Sequence, residues 1–207
     1  MTKGQRTRER LLRAAIDRFG ADGFRATAVS QLSRDAGLTP AASYAYFADK
    51  DAFWEAAISA DLDSLDQEIR VAALTSERPL YDLMSMFIAG LERHPLIRRV
   101  LKEGTPADLM LVLDHPFFAE TTAVIGDRLQ RRVESGVLAA GTDVGVLARG
   151  IETVLFSMVL SIVRAGMEED SDRIWSVVTL LRSAAGGPPT EGEILARSAT
   201  PTSPIRT

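Results

Sequence analysis

The chain has 207 residues, 46% of them hydrophobic and 25% charged, the composition of a soluble globular protein with material for one sizeable core or for a small module joined to a core domain. It contains no cysteine and two histidines, His94 and His115, which excludes a disulfide scaffold, thiolate metal sites and cysteine nucleophiles, leaves little for general-base or metal chemistry, and fits a reducing cytoplasm. The net charge of −4 is unevenly spread: residues 1–50 hold nine Lys/Arg against five Asp/Glu, a net +4, whereas the other 157 hold 15 against 23, a net −8. A basic head on an acidic body turns one end of the molecule toward a polyanion.

The opening MTKGQRTRERLLRAAIDRFG reaches charged residues too early for a signal peptide. Within it Leu11, Leu12, Ala15, Ile16 and Phe19 recur at helical spacing with arginines opposite, and Gly20 and Gly23 are expected to stop that helix. A second short helix is predicted over Ala28–Asp35, capped by Thr27, with Leu32 and Ala36 turned inward. Gly37 serves as a turn residue free to take positive φ. Thr39-Pro40 opens a third helix, with Thr as N-cap and Pro at the first helical position, ending near Tyr46-Phe47. Asp49 caps a fourth, running from Lys50 into residues 66–72.

Helical periodicity continues over 80–93, 96–113 (interrupted at Gly104-Thr105-Pro106), 117–135, 143–166 and 171–185. No alternating strand pattern and no internal repeat occurs, so the fold is all-α. From Gly186 the text GGPPTEGEILARSATPTSPIRT reads as a disordered tail. The expected division is a helix-turn-helix domain over 1–49, a larger helical domain over 50–186 and a tail over 187–207. The most apolar stretch, Thr153–Val163 between Glu152 and Arg164, is shorter than a bilayer span.

Residues 27–50, TAVSQLSRDAGLTPAASYAYFADK, place two short helices around Ala36-Gly37-Leu38, the spacing of a helix-turn-helix, whose second helix enters the DNA major groove. The run resembles the TetR/AcrR family of bacterial transcriptional regulators at Phe19, Gly23-Phe24, Thr27, Val29, Leu32, Ala36-Gly37-Leu38-Thr39, Tyr44, Tyr46-Phe47, Lys50 and Phe53. The resemblance covers residues 5–60; beyond them the chain matches the family only in being helical and of the expected length. It implies an N-terminal three-helix DNA-binding module followed by a helical ligand-binding and dimerisation domain.

The resemblance also assigns roles. Thr27 and Thr39 at helix N-termini are expected on phosphate, Tyr44 on the DNA backbone, Tyr46 on phosphate or in packing, and Lys50 on phosphate from the flanking side. Arg6 and Arg8 are expected to extend into the neighbouring groove as a flexible basic arm. Ile16, Phe19, Leu32 and Phe47 form the small core behind them. Where bases are read the sequence departs from the family: the third helix offers Pro40, Ala41, Ala42 and Ser43, with Ala45 between the tyrosines, and no Lys, Arg, Asn or Gln for bidentate recognition. Ser43 and the alanine methyls are left to read bases, with DNA shape carrying more of the discrimination.

In the body, the helix over 143–166 is apolar around most of its circumference and must be buried on all sides. With the helix over 171–185 it is expected to pair with its copy in a two-fold homodimer, because a palindromic operator needs two recognition helices about 34–36 Å apart. Trp54, Ile58, Leu62, Met84, Phe87, Ile88, Leu91, Leu101, Leu109, Met110, Leu113, Phe117, Phe118, Phe156, Met158 and Val159 are the candidates to line a site for a small hydrophobic effector, a set that equally suits an ordinary core. Both histidines precede proline and are expected in exposed, extended loops.

Glu168-Glu169-Asp170 with Asp172 is read as helix-dipole complementarity rather than a calcium site; no metal and no cofactor is called for. The function expected is that of a cytoplasmic, homodimeric repressor, not an enzyme, binding double-stranded operator DNA without membrane association and released by its effector. A ligand-activated co-repressor or an activator is the alternative within the family. From other classes come a helical enzyme with an apolar active site, for which no Ser/His/Asp set, paired carboxylates, phosphate loop or metal spacing speaks, and a helical adaptor.

Overall fold

The computed structural model describes residues 2–73, 79–168 and 171–186. The predicted tail over 187–207 and the Glu169-Asp170 part of the acidic run lie outside them. Among the described residues the chain is helical without a strand, in the order α1 (Lys3–Ala26), α2 (Val29–Asp35), α3 (Pro40–Ser43), α4 (Lys50–Ala73), α5 (Pro79–Gly90), α6 (Pro95–Glu103), α7 (Pro106–Leu113), α8 (Pro116–Glu134), α9 (Val144–Ala165) and α10 (Asp172–Ala184). Two units divide it: one holds the residues up to Thr121 together with Leu155–Met167, the other Thr122–Val154 and the residues from Glu168 on. The helix-turn-helix residues therefore share a unit with α4–α7, since α1 packs on both α4 and α6.

In the first unit, α1 starts on a capping box: Gln5 N donates to Thr2 Oγ1 at 3.2 Å and Thr2 N to Gln5 Oε1 at 2.6 Å. Arg6 and Arg8 consequently lie in the first turns of a helix, not in the flexible arm expected of them. The helix passes through Gly20 and breaks at Gly23, with φ 82° and ψ 168°, a conformation that glycine takes at little steric cost. Gly20 serves close packing instead, since a Cβ there would lie 3.0 Å from Leu96 N.

Thr27 does not cap α2. Its hydroxyl donates to Gly23 O at 2.8 Å and Ala28 holds the N-cap position. Gln31 Oε1 there accepts from Ala28 N at 2.7 Å. Asp49 caps α4 as its type predicts, Oδ1 accepting from Ala52 N at 2.8 Å. The expected break at Gly104-Thr105-Pro106 separates α6 from α7, and Thr105 opens α7 in a capping box with Asp108.

The core of this unit gathers Leu11, Phe19, Leu32, Phe53, Ile58, Leu62, Leu65, Leu96, Ile97 and Leu101, all fully buried or nearly so. Each such side chain contributes about 1.5–3 kcal/mol by leaving water. Both histidines are buried as well, against the expectation of exposed loops. A following proline restricts the backbone of a residue and does not set its exposure, and α4 supplies carboxylates for both rings. His94 Nδ1 lies 2.7 Å from Asp61 Oδ1 and Nε2 3.3 Å from Glu68 Oε1, while Asp61 Oδ2 accepts from Ile97 N at 3.2 Å. His115 Nδ1 accepts from Phe117 N at 3.3 Å, and its Nε2 lies 3.3 Å from Asp63 Oδ1.

In the second unit Ile125, Leu129, Ala148, Ile151, Ile174, Val178 and Leu181 are buried, and Arg132 Nη1 donates to Ala185 O at 2.7 Å. Asp143 caps α9 through Val146 N at 3.0 Å. Within the single chain α9 is covered on part of its surface only: 33% of its most apolar 18 residues are buried, and Val146 on α9 and Leu180 on α10 are 65% and 66% exposed. Glu152 and Arg149 do not interrupt α9, so at 22 residues it is longer than the Thr153–Val163 stretch and is long and apolar enough to cross a membrane, as core helices also can be.

Candidate nucleic-acid interface

Residues 27–50 fold into the helix-turn-helix their spacing predicts. Gly37 takes φ 69°, and the turn closes through Gly37 N to Arg34 O at 2.9 Å and Leu38 N to Ser33 O at 2.8 Å. Leu32, Ala36 and Phe47 are buried beneath it with Phe19, as expected, while Ile16 is only half-buried. Thr39 caps α3, its hydroxyl accepting from Ala42 N at 3.2 Å. The α-helical part of α3 is four residues long, and the chain leaves it in a turn through Tyr46, whose N–H donates to Ser43 O at 3.0 Å.

Ser43 does not face outward: its side chain is 0% exposed and its hydroxyl donates to Thr39 O at 3.3 Å. A base edge cannot reach it in this conformation, which corrects its assignment as a reader. Thr27, 2% exposed, is likewise occupied within the fold. The outward surface of α3 and its exit turn consists of Pro40, Ala41, Tyr44, Ala45 and Tyr46, with Thr39 at the rim and Ala42 half-buried. Tyr44 and Tyr46 are the large exposed groups, at 51% and 37%.

Two cations are held at the flanks by aromatic rings. Lys50 Nζ stands 4.3 Å from the Phe24 ring centroid, and the Arg8 guanidinium 5.2 Å from that of Phe47, geometries in which a ring face fixes a charge without neutralising it. Arg6 is exposed on α1. Farther along α1 a groove of about 590 Å³ is lined by Arg10, Arg13, Asp17, Arg18, Asp22 and Asp35. Its three arginines face three aspartates: Arg18 bridges Asp35 at 2.7 Å and Asp22 at 3.3 Å, and the Arg18 hydrogen bond holds the Asp35 carboxyl below its usual range. A cancelled groove offers a polyanion little attraction.

The contacts that fix the head lie outside the motif. Trp54, expected to line an effector site, instead sits edge-on to Phe19 at 5.1 Å and to Phe24 at 5.4 Å, with its indole N–H donating to Asp108 Oδ1 at 2.7 Å. Arg99 on α6 donates to the carbonyls of Gly20 and Ala21 on α1. Arg164 on α9 donates in turn to those of Leu101 at 2.6 Å and Gly104 at 3.0 Å. No sequence pattern announces an arginine whose partners are main-chain carbonyls 60 to 79 residues away.

Of the other effector-site candidates, Phe87, Phe117, Phe118 and Phe156 form a chain of ring contacts 5.0–5.8 Å apart. Ile58, Leu62, Met84, Leu91, Leu101, Met158 and Val159 are buried. Ile88, Leu109 and Leu113 are half-buried, and Met110 is exposed. Among the described residues no group of three His, Asp or Glu side chains is placed to hold a metal ion.

Residues 11–57 match the family model described as bacterial regulatory proteins, tetR family. No curated protein matches the chain in sequence. In fold it is similar to the fatty acid degradation regulator FadR from Bacillus halodurans, with a TM-score of 0.62 at 18% identity over 90% of this chain and 97% of that one. A structure described as a TetR-family transcriptional regulator from Syntrophomonas wolfei gives 0.62 at 14% identity over 91% and 100%. FadR from Bacillus subtilis in complex with stearoyl-CoA gives 0.58 at 16% over 86% and 95%. At these identities the likeness is one of fold.

Proposed function

We propose that this chain, a tetR-family protein by its module at residues 11–57, is a cytoplasmic, homodimeric repressor that binds a palindromic DNA operator and leaves it when a small hydrophobic effector binds. The observation that carries the reading is the helix-turn-helix itself: α3 held by a buried core, Tyr44 and Tyr46 exposed on it, and Lys50 beside it. Tyr44, Tyr46, Thr39, Lys50, Arg6 and Arg8 are the proposed backbone contacts, which set affinity and register. Thr27 contributes through the main chain at the start of α2, because its hydroxyl is engaged.

The partly uncovered α9 and the exposed Leu180 of α10 support dimerisation through residues 143–185, since an apolar helix face of that length calls for a protein partner. Membrane insertion is the weaker reading of α9, which carries Arg149, Glu152 and Arg164 and packs Phe156 on Phe118. For the effector, the Phe87–Phe117–Phe118–Phe156 cluster suits an apolar guest. The stearoyl-CoA of the Bacillus subtilis structure is one molecule with such a part. Derepression is a population shift. An effector preferring the released state about 100-fold supplies about 2.7 kcal/mol per site, passed to the head through α4.

Selection of bound duplexes from random DNA at two salt concentrations tests this. An enriched palindrome, with affinity falling steeply as salt rises, is the expected result. No enrichment, also after unfolding and refolding to strip a retained effector, overturns it.

A further inference from the structure

We propose that this chain recognises bases through thymine C5-methyl groups, with the exposed Ala41 and Ala45 as the specificity-determining residues. The inference rests on the operator-binding reading above and names the chemistry that α3 reads in the groove. Hydrogen-bond readout by α3 needs side-chain donors or acceptors free at the groove surface, and this helix carries no amide or guanidinium while its Ser43 hydroxyl is turned inward. The Gln31 amide oxygen accepts from Ala28 N. The hydroxyls of Thr27, Ser33 and Ser43 donate to carbonyls four residues back, and Thr39 Oγ1 accepts from Ala42 N.

What α3 and its exit turn leave exposed is the Pro40 ring, the methyls of Ala41 and Ala45, and two phenol rings. Of the groups displayed in the major groove, the thymine C5-methyl is the apolar one. A small side chain allows the close approach that covering a methyl requires, and the phenol ring closes the flank while its hydroxyl reaches the backbone.

The test uses the full-length protein and the duplex selected above. Each thymine is replaced singly by deoxyuridine, which removes the methyl and leaves base pairing and the O4 acceptor intact, and Kd is read by fluorescence anisotropy. The expected result is a loss of about 3- to 5-fold at one or two thymines per half-site, the effect of uncovering one methyl group. Ala41→Gly or Ala45→Gly should shrink the thymine–uracil difference at its own position, read as the ratio of the two Kd values within each protein. The deoxyuridine series on the unaltered protein stands whether or not the glycine variants fold.

A selected half-site without thymine, or one in which every uracil duplex binds within about 1.5-fold of its parent, overturns the inference but leaves the operator reading standing. Absence of any selected duplex overturns both.

Discussion

Arg99 donates from Nε to the carbonyl of Gly20 at 2.9 Å, and from Nη2 to the neighbouring Ala21 carbonyl at 2.8 Å. The break at Gly23 deprives α1 of its regular ladder just there, and the guanidinium fork takes its place as an acceptor-satisfying cap. A Cβ at Gly23 would stand 3.2 Å from Arg99 Nη1, so glycine serves both the backbone angle and the arginine.

Arg99→Ala is expected to cost about 1.5–3 kcal/mol, the range for hydrogen bonds to a charged group. Arg99→Lys should recover less than half of that, because an ammonium lacks the planar fork. Urea unfolding of the three proteins gives the comparison. Equal midpoints would show the contact to be without energetic weight.

Ser43→Ala should leave base preference unchanged, since the hydroxyl it removes is buried against Thr39 O. Lys50→Ala should weaken binding to all sequences alike and lower the salt slope by about one. Repeating duplex selection with each variant checks both: a shifted consensus for Ser43→Ala would mean that α3 opens on DNA.

The buried Asp61 carboxyl is lifted by desolvation above its ordinary 3.8, against the opposing hydrogen bonds of His94 and the Ile97 amide. The native chain thus keeps this proton where the unfolded chain has lost it. Its contribution favours folding below pH 3.8 and is lost as pH rises through the raised native value. Asp61→Asn, which preserves an acceptor for Ile97 and does not titrate, should gain on the unaltered protein as pH rises from about 4 to 7. A urea-unfolding difference independent of pH would contradict this.

Asp108 behaves with the opposite sign. Burial raises its carboxyl, but the Thr105 hydroxyl, the Thr105 amide and the Trp54 indole together hold it below the ordinary 3.8. Its contribution is present above pH 3.8 and lost as pH falls through the native value. Asp108→Ala removes a capping partner and leaves the indole N–H without its acceptor, for about 1–3 kcal/mol at pH 7, narrowing in acid. Trp54 emission during denaturation follows it; an unchanged midpoint at pH 7 would sink the argument.

Leu180→Arg places a charge on an exposed apolar site of α10 and should convert the proposed dimer to monomer, read by light scattering. A dimer that persists would move the interface elsewhere.

By itself the sequence determined whatever depends on near neighbours along the chain. Helical periodicity, the caps Thr39 and Asp49, and the positive-φ turn at Gly37 are local choices of backbone and hydrogen bond, and they suffice to draw a helix-turn-helix. Tertiary packing decided which side chains of that motif face outward. Ser43 carries the chemistry of a base reader, yet its four-residue distance to the Thr39 carbonyl and the core beneath α3 turn it inward. The burial of His94 and His115 depends on carboxylates of α4 that sequence distance conceals. Arg99 and Arg164 are ordinary surface types in sequence; only when a distant helix presents unsatisfied carbonyls does a charged fork gain more by bonding main chain than by remaining in water.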